Sequence, residues 1–450
     1  MTGSDRARPA GNAAVHTQVC IIGGGPAGMT LGLELARRSV EVIVVEQSGH
    51  FDRSFRGESI SPDSVWLLER LGILDKVRDQ TLETRRMQIM DGGQVVLDAD
   101  FSAFDQPCRY PMELPQPPLL SALAEEGAAL AGFTLLRRST AVELLRDGEA
   151  VTGVRVRGPE GDVEVRAALT VGADGRFSKV RQMAGLPYEK IPLERDFVWF
   201  KVPVPDAWDP HTYRVRILGN RHGLFIPTVP DLVRVGFNIP KGGLREMRGQ
   251  GLPALYERID ELAPEISQEV RESVTSWSDT SMLDIFTTVV NRWSMPGLVL
   301  IGDAAHTLTP VLGQGVNHAI TDAVMLAPLV APVLRGSGDH RSALLRTTER
   351  FQHEREQAVA RSRDLQLRQE RAFALSGTVP VALRKLAYRL VSSNDALKRR
   401  IVAGIYYPLQ EAHRTGRTVV RVAPTAPAAP AAPTAPAAPA ARLGADPSDV

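Results

Sequence analysis

A strand that must turn at once into a helix constrains this chain more than any other feature. An apolar run at 18–22 leads directly into Gly23-Gly24-Gly25-Pro26-Ala27-Gly28, and a helical run follows at 29–38. In such a turn Gly23 permits the tight reversal, Gly25 lets the backbone approach a pyrophosphate, and Gly28 lets the helix pack on the strand. Pro26 and Ala27 complete the turn, and free N–H groups at the helix start favour phosphate charge. A second strand at 41–45 ends in Glu46, which is placed to hydrogen-bond ribose hydroxyls. The order strand, turn, helix, strand predicts an α/β fold with a parallel sheet and a Rossmann-type dinucleotide site.

Further along, the texture changes. Residues 142–157 and 162–171 alternate apolar and polar side chains around Asp147-Gly148 and Glu160-Gly161, as in antiparallel ribbon. Short strands broken by Pro and Gly continue through 197–239, helical character returns at 302–330, and 340–375 reads as a long amphipathic helix. This predicts a flexible tail at 1–17 and a discontinuous nucleotide-binding domain at 18–190 and 290–335. An inserted, mostly antiparallel β substrate domain occupies 191–289, followed by C-terminal helices at 336–420 and a disordered Ala/Pro-rich tail at 421–450.

Composition removes several function classes. With 53 Lys and Arg against 52 Asp and Glu, the net charge of +1 gives no field that recommends nucleic acid as a partner. Two cysteines, Cys20 and Cys108, are too few for a disulfide framework, and no metal site is expected. The sequence reads as having no signal peptide and no transmembrane segment, so a cytoplasmic protein is expected.

Two more motifs specify the dinucleotide. Val171-Gly172-Ala173-Asp174-Gly175-Arg176-Phe177-Ser178 is a strand end at Asp174, with Ser178 placed to cap a helix that carries Arg181. Gly302-Asp303-Ala304-Ala305-His306 follows an apolar strand at 298–301, and Pro310, Gly313, Gln314, Gly315, Asn317 and Asp322 follow in turn. A strand-end carboxylate accepts hydroxyl donors, and glycines at 313 and 315 let backbone N–H groups approach a flat, electron-rich ring.

Together the three motifs resemble the FAD-dependent aromatic hydroxylases, the class A flavin monooxygenases of the p-hydroxybenzoate hydroxylase fold, over roughly the first three quarters of the chain. The resemblance implies non-covalent FAD, with Asp303 on the ribityl chain, Asp174 in a motif shared by FAD and NAD(P)H, and Arg56 on the phosphates. It also places Gln116, at a Gln-x-x-Leu-x-x-x-Leu helix start, near the flavin. NAD(P)H is expected as a co-substrate that docks transiently, with O2 and an aromatic or apolar small molecule as reactants. Trp199, Phe225, Phe237, Met282 and Phe286 are candidates for the substrate wall.

Arg56-Gly57-Glu58-Ser59-Ile60-Ser61-Pro62 also resembles a segment of flavin-dependent halogenases. Their Trp-x-Trp-x-Ile-Pro motif survives here only as Ile226-Pro227, with His222 and Leu224 in the tryptophan positions, and no lysine stands between Lys76 and Lys179 to supply a guiding amine. A flavin-dependent reductase of isoprenoid double bonds, and a flavoprotein that binds without turnover, share the same nucleotide motifs. Hydroxylation asks little of the side chains beyond orienting substrate and excluding water. The residues that could act as a base in the substrate domain are His211, Tyr213 and His222.

Overall fold

The computed structural model describes residues 14–51, 57–338, 340–417 and 420–423. Its larger sheet runs in the order Ser294–Met295, Leu298–Leu300, Gly161–Gly172, Val15–Ile22, Val42–Val45 and Phe133–Leu136. All but the first of these neighbours pair in parallel. The central strand carries Val19, Cys20 and Ile21 with no exposed surface, as befits a strand covered on both faces. It begins at Val15 rather than at residue 18, because the long Gly161–Gly172 strand offers pairing as far as Val165 and draws the polar His16-Thr17 start into the ladder. That long strand also pairs antiparallel with Ala150–Gly158, which pairs with Thr140–Asp147, so the ribbon is an extension of the parallel core.

A second, seven-stranded sheet contains Arg195–Pro203, Thr212–Leu218, Arg221–Thr228 and Leu232–Pro240, flanked by Ser281–Leu283 on one edge. The other edge is Arg86–Asp91 and Gln94–Asp100, which the sequence boundaries put with the nucleotide-binding domain. Arg86–Asp91 lies parallel to Thr212–Leu218, a crossover that no local pattern announces. Successive side chains alternate between two cores. Phe197, Trp199, Val215, Leu224 and Ile226 join the cluster under the C-terminal helices. Val198, Phe200, Phe225, Val235 and Phe237 join one with Leu255 and Ile259 of the Leu252–Leu262 helix. Phe225 and Phe237 therefore face away from the wall that sequence reading gave them. Met282 is exposed and Phe286 is buried beneath Arg176.

The helix expected at 340–375 spans His340–Ala374 and packs on Gln314–Arg335. The second of these is long and apolar enough to cross a membrane, but most of its surface is buried within the protein, as in a core helix. Ala423, expected in the Ala/Pro-rich tail at 421–450, lies against the first helix: its N–H donates to Glu34 Oε1 at 3.2 Å and the residue is buried. The remainder of that tail, at 424–450, lies outside the described residues, as does 1–13.

One buried carboxylate joins these layers. Asp322 accepts from the Gly302 N–H at 2.8 Å, meets His306 Nε2 at 2.7 Å, and accepts from Arg355 Nε of the long helix at 2.7 Å. Arg355 Nη2 lies 2.8 Å from His318 Nδ1, and an arginine can only donate, so that nitrogen accepts. Burial pushes the Asp322 pKa up, but His306 and Arg355 outweigh it and hold the group well below the usual carboxylate range. With the folded value depressed, the stability it contributes is present above ~3.9, the ordinary Asp value, and is lost as pH falls through the folded value. Asp322→Ala leaves Arg355 buried and uncompensated, so we expect a loss of roughly 3–5 kcal/mol in urea unfolding at pH 7. A loss under 1 kcal/mol would contradict this reading of the hub.

Candidate active site

Three turns meet at the C-terminal ends of the parallel strands. Gly23 has φ 112° and donates its N–H to Val45 O at 2.8 Å. A Cβ there would lie 2.3 Å from Ala173 O, so the first turn abuts the strand end that carries Asp174. A Cβ at Gly302 would lie 3.2 Å from that of Ala27, which brings the third turn against the first. Arg181, fully buried, donates to Ala304 O at 2.7 Å and ties the second turn to the third. Helix Pro26–Ala36 starts at Gly25 with no side-chain cap, and helix Gln314–Arg335 likewise starts at Gly313 with none. Each leaves first-turn N–H groups for a ligand. Between Pro310 and Gln314 the chain passes through two left-handed residues, Leu312 at φ 64° and Gly313 at φ 59°. Gln366 of the long helix braces that turn, accepting from Thr309 N at 3.1 Å and donating to Val311 O at 2.8 Å.

The short strand Ser59–Ile60 lies beside the same turn. Asn317 Oδ1 accepts from Ser61 N at 2.8 Å, while its Nδ2 donates to Ser59 O at 3.2 Å and to Gly313 O at 2.8 Å. Here a buried polar network joins the paired short strands Ser59–Ile60 and Met112–Glu113 to the seven-stranded sheet. Lys201 Nζ donates to Glu58 Oε1 at 3.1 Å and Thr228 Oγ1 donates to Glu58 Oε2 at 3.1 Å. Glu113 accepts from Ser59 Oγ at 2.9 Å and from Arg234 Nη2 at 3.2 Å. Period-two alternation puts Lys201, Thr228, Arg234 and Tyr213 on the face that also bears Trp199, Leu224 and Ile226. That face is thus an apolar wall with a charged end beside Gly313.

The FAD binding domain family model matches residues 16–363. The chain belongs to the FAD-dependent aromatic hydroxylase family. The 6-methylpretetramide 4-monooxygenase of Streptomyces rimosus is 36% identical to this hydroxylase over 409 residues, 90% of this chain and 96% of that protein. Among solved structures, p-nitrophenol 4-monooxygenase from Pseudomonas putida DLL-E4 matches with TM-score 0.72 at 18% identity, covering 88% of this chain and 98% of its own. A flavin-dependent brominase matches with TM-score 0.69 at 18% identity, covering 90% of this chain and 98% of its own. At these identities the two structures show a shared fold. The hydroxylase is an FAD-dependent monooxygenase.

The residues present fit FAD. A Cβ on Gly25 would meet nothing within 4 Å, the open approach a pyrophosphate needs. Asp303, in the first turn of Asp303–His306, points its Oδ1 to within 3.8 Å of a Cβ on Gly315, so that carboxylate and helix start face one space. Glu46 is buried at the end of Val42–Val45, accepting from Gly24 N and from Ser48 N, each at 2.7 Å, and so braces the turn. Asp174 accepts from Lys179 N at 2.7 Å and Val180 N at 3.0 Å and so caps the next helix, with Ser178 as its N-cap residue. Gln116 donates to Gly57 O at 3.0 Å, which anchors the segment after Arg56; Arg56 itself lies outside the described residues.

The three candidate bases separate. His222 is fully buried between Phe197 and Phe373, and neither ring nitrogen has a hydrogen-bond partner among the described residues. Burial, then Arg195 and Arg384, lowers its pKa to about 3, so it packs as a neutral core side chain. His211 Nδ1 lies 2.8 Å from Glu83 O and fastens a strand start. Tyr213 lies near Glu113 and Arg234, and burial pushes its phenol above the ordinary range. The network itself escaped sequence reading, although Lys201 and Arg234 each interrupt an apolar stretch of their strands, which was the available signal. Lys201 also corrects the search for an amine near Glu58-Ser59: one is present, supplied from a distant strand, with Glu58 holding it.

We expect the glycines to split by role. Gly25→Ala should leave the apoprotein as stable as wild type and weaken FAD binding about tenfold or more, near 1.4 kcal/mol. Gly28→Ala, whose Cβ would lie 1.9 Å from Gly23 O, should cost the fold itself about 1–3 kcal/mol. Asp303→Ala should raise the FAD dissociation constant roughly ten- to a hundredfold through loss of about 1.5–3 kcal/mol. Flavin-fluorescence titration and thermal unfolding measure both quantities, and unchanged FAD affinity in Gly25→Ala and Asp303→Ala would remove the assigned roles.

Proposed function

We propose that the hydroxylase inserts one atom of O2 into an aromatic or polycyclic small molecule, with NAD(P)H as electron donor, in the cytoplasm. The observation that carries this reading is the apolar wall of Trp199, Leu224 and Ile226, which ends in Glu58, Glu113, Lys201 and Arg234 beside the Gly313 turn. Such a surface suits a flat ring system with a polar edge. Similarity to a 6-methylpretetramide 4-monooxygenase over 90% of the chain supports the polycyclic class. The bound flavin supplies oxygen activation and delivery of one oxygen atom. The chain's part is to hold the ring against the wall, to present backbone N–H groups from the Gly313 turn, and to keep water out.

Halogenation fits less well, because His222 and Leu224 replace the paired tryptophans and the Lys201 ammonium is held by both oxygens of Glu58. In a panel of polycyclic phenols that includes 6-methylpretetramide, we expect one member to accelerate NAD(P)H oxidation. Under labelled O2 its product should gain one labelled oxygen atom, with no response to chloride or bromide. A halogenated product, or a reduced product without label, overturns the reading and leaves the FAD fold intact.

A further inference from the structure

The polar network at the end of the apolar wall contains two buried carboxylates in different settings. Glu58 is gripped by Lys201 and Thr228, with Arg234 Nη1 at 3.6 Å. Glu113 shares Arg234 and has as its other side-chain partner the hydroxyl of Ser59, its cross-strand neighbour. Ser59 is also the network residue that touches the flavin-side turn: a methyl on Gly313 would lie 3.1 Å from its Cβ and 3.6 Å from its Oγ. Arg234 Nη2 donates to the same Ser59 Oγ at 3.1 Å. Serine therefore stands between a buried carboxylate and the space where a substrate edge would meet the flavin.

We propose that Glu113, acting through Ser59, takes the proton of a phenolic substrate hydroxyl at the Gly313 turn, while Arg234 faces the phenolate that remains. The inference rests on the hydroxylase reading above. In the step, the substrate O–H bond breaks and a new O–H bond forms on Ser59 Oγ. The proton that Ser59 carried passes along its existing hydrogen bond to Glu113 Oε2. Glu113 becomes a neutral acid and the substrate becomes an anion, so total charge is conserved. With both carboxylates ionised, Lys201 and Arg234 balance Glu58 and Glu113. Once Glu113 is protonated, one positive charge is left over, and the phenolate supplies its counter-charge in a site where charge is costly to leave unpaired. A phenolate ring is also the more electron-rich acceptor for an electrophilic oxygen.

The groups facing Glu113 are Ser59 and Glu58 from the 57–60 segment, Arg234 and Lys201 from neighbouring sheet strands, Tyr213, and Tyr406 of the Asp395–Tyr406 helix. Burial raises the Glu113 pKa to about 7, against lowering by Arg234 and Ser59 and a further rise from Glu58. A base with that value is ionised and able to accept above about 7, and protonated and unable to accept below it.

Two readings on the FAD-loaded enzyme test this, and neither needs NAD(P)H or turnover. Infrared spectra of wild type minus Glu113→Gln should show a protonated carboxyl that is lost as pH rises through about 7, with the signal of Glu370, also raised to about 7, cancelling in the difference. With 2-naphthol as probe, absorbance should show the bound phenol ionised in wild type at a lower pH than free in solution. Its phenolate fraction at pH 7 should fall about tenfold or more in both Glu113→Gln and Ser59→Ala, while Ser59→Thr keeps it. Ser59→Ala leaves every buried charge in place, so it carries the test should Glu113→Gln fail to fold. No titrating carboxyl in the difference, no perturbed ionisation in wild type, or equal ionisation in wild type and Ser59→Ala each overturns the proposal. Ionisation of the probe without labelled-oxygen incorporation into any phenol would sink the hydroxylase reading and keep the proton acceptor.

Discussion

The Asp322 carboxylate fixes the two halves of the nucleotide face relative to each other. It grips the N–H of Gly302, which opens the turn carrying Asp303, and it is built into the helix whose first residues follow Gly313. Arg355 completes the triad from the long helix, and the same helix braces the Gly313 turn through Gln366. A buried aspartate of this kind is costly unless it is hydrogen-bonded and paired, and here Gly302, His306 and Arg355 supply three partners across its two oxygens. The left-handed Leu312 is held by its surroundings and not by local preference, while Gly313 beside it takes the same region at no steric cost.

Much of the nucleotide face was legible because its determinants are local. Gly23 and Gly28 announce a turn whose Cβ positions are filled by backbone, and Ser178 announces the cap it forms. The long helix was legible from periodicity, and its observed end at Ala374 differs from expectation by a single residue. What escaped was non-local. The pairing of Arg86–Asp91 with Thr212–Leu218 has no signature in either segment. Strands covered on both faces read as continuous apolar runs, so nothing in the sequence told Trp199 from Phe225 by side, and only pairing in the sheet separates them. The ion-pair partners of Glu58 and Glu113 lie far along the chain, and a charge such as Lys201 or Arg234 within an apolar stretch signals a buried partner without naming it.

The two sheets divide the work. The parallel one gathers three turns into a surface with uncapped helix starts and a strand-end carboxylate, a surface that suits phosphates, hydroxyls and a flat ring. The other carries an apolar face of Trp199, Leu224 and Ile226 under the C-terminal helices. At the end of that face Lys201 and Arg234 pair with Glu58 and Glu113, next to Ser59 and the Gly313 turn.

The account turns on FAD held by the three converging turns without a covalent link. Purified protein should be yellow; after acid precipitation, chromatography of the supernatant should recover FAD in amounts matching the protein. FMN in the supernatant, or flavin that stays with the precipitate, would contradict it.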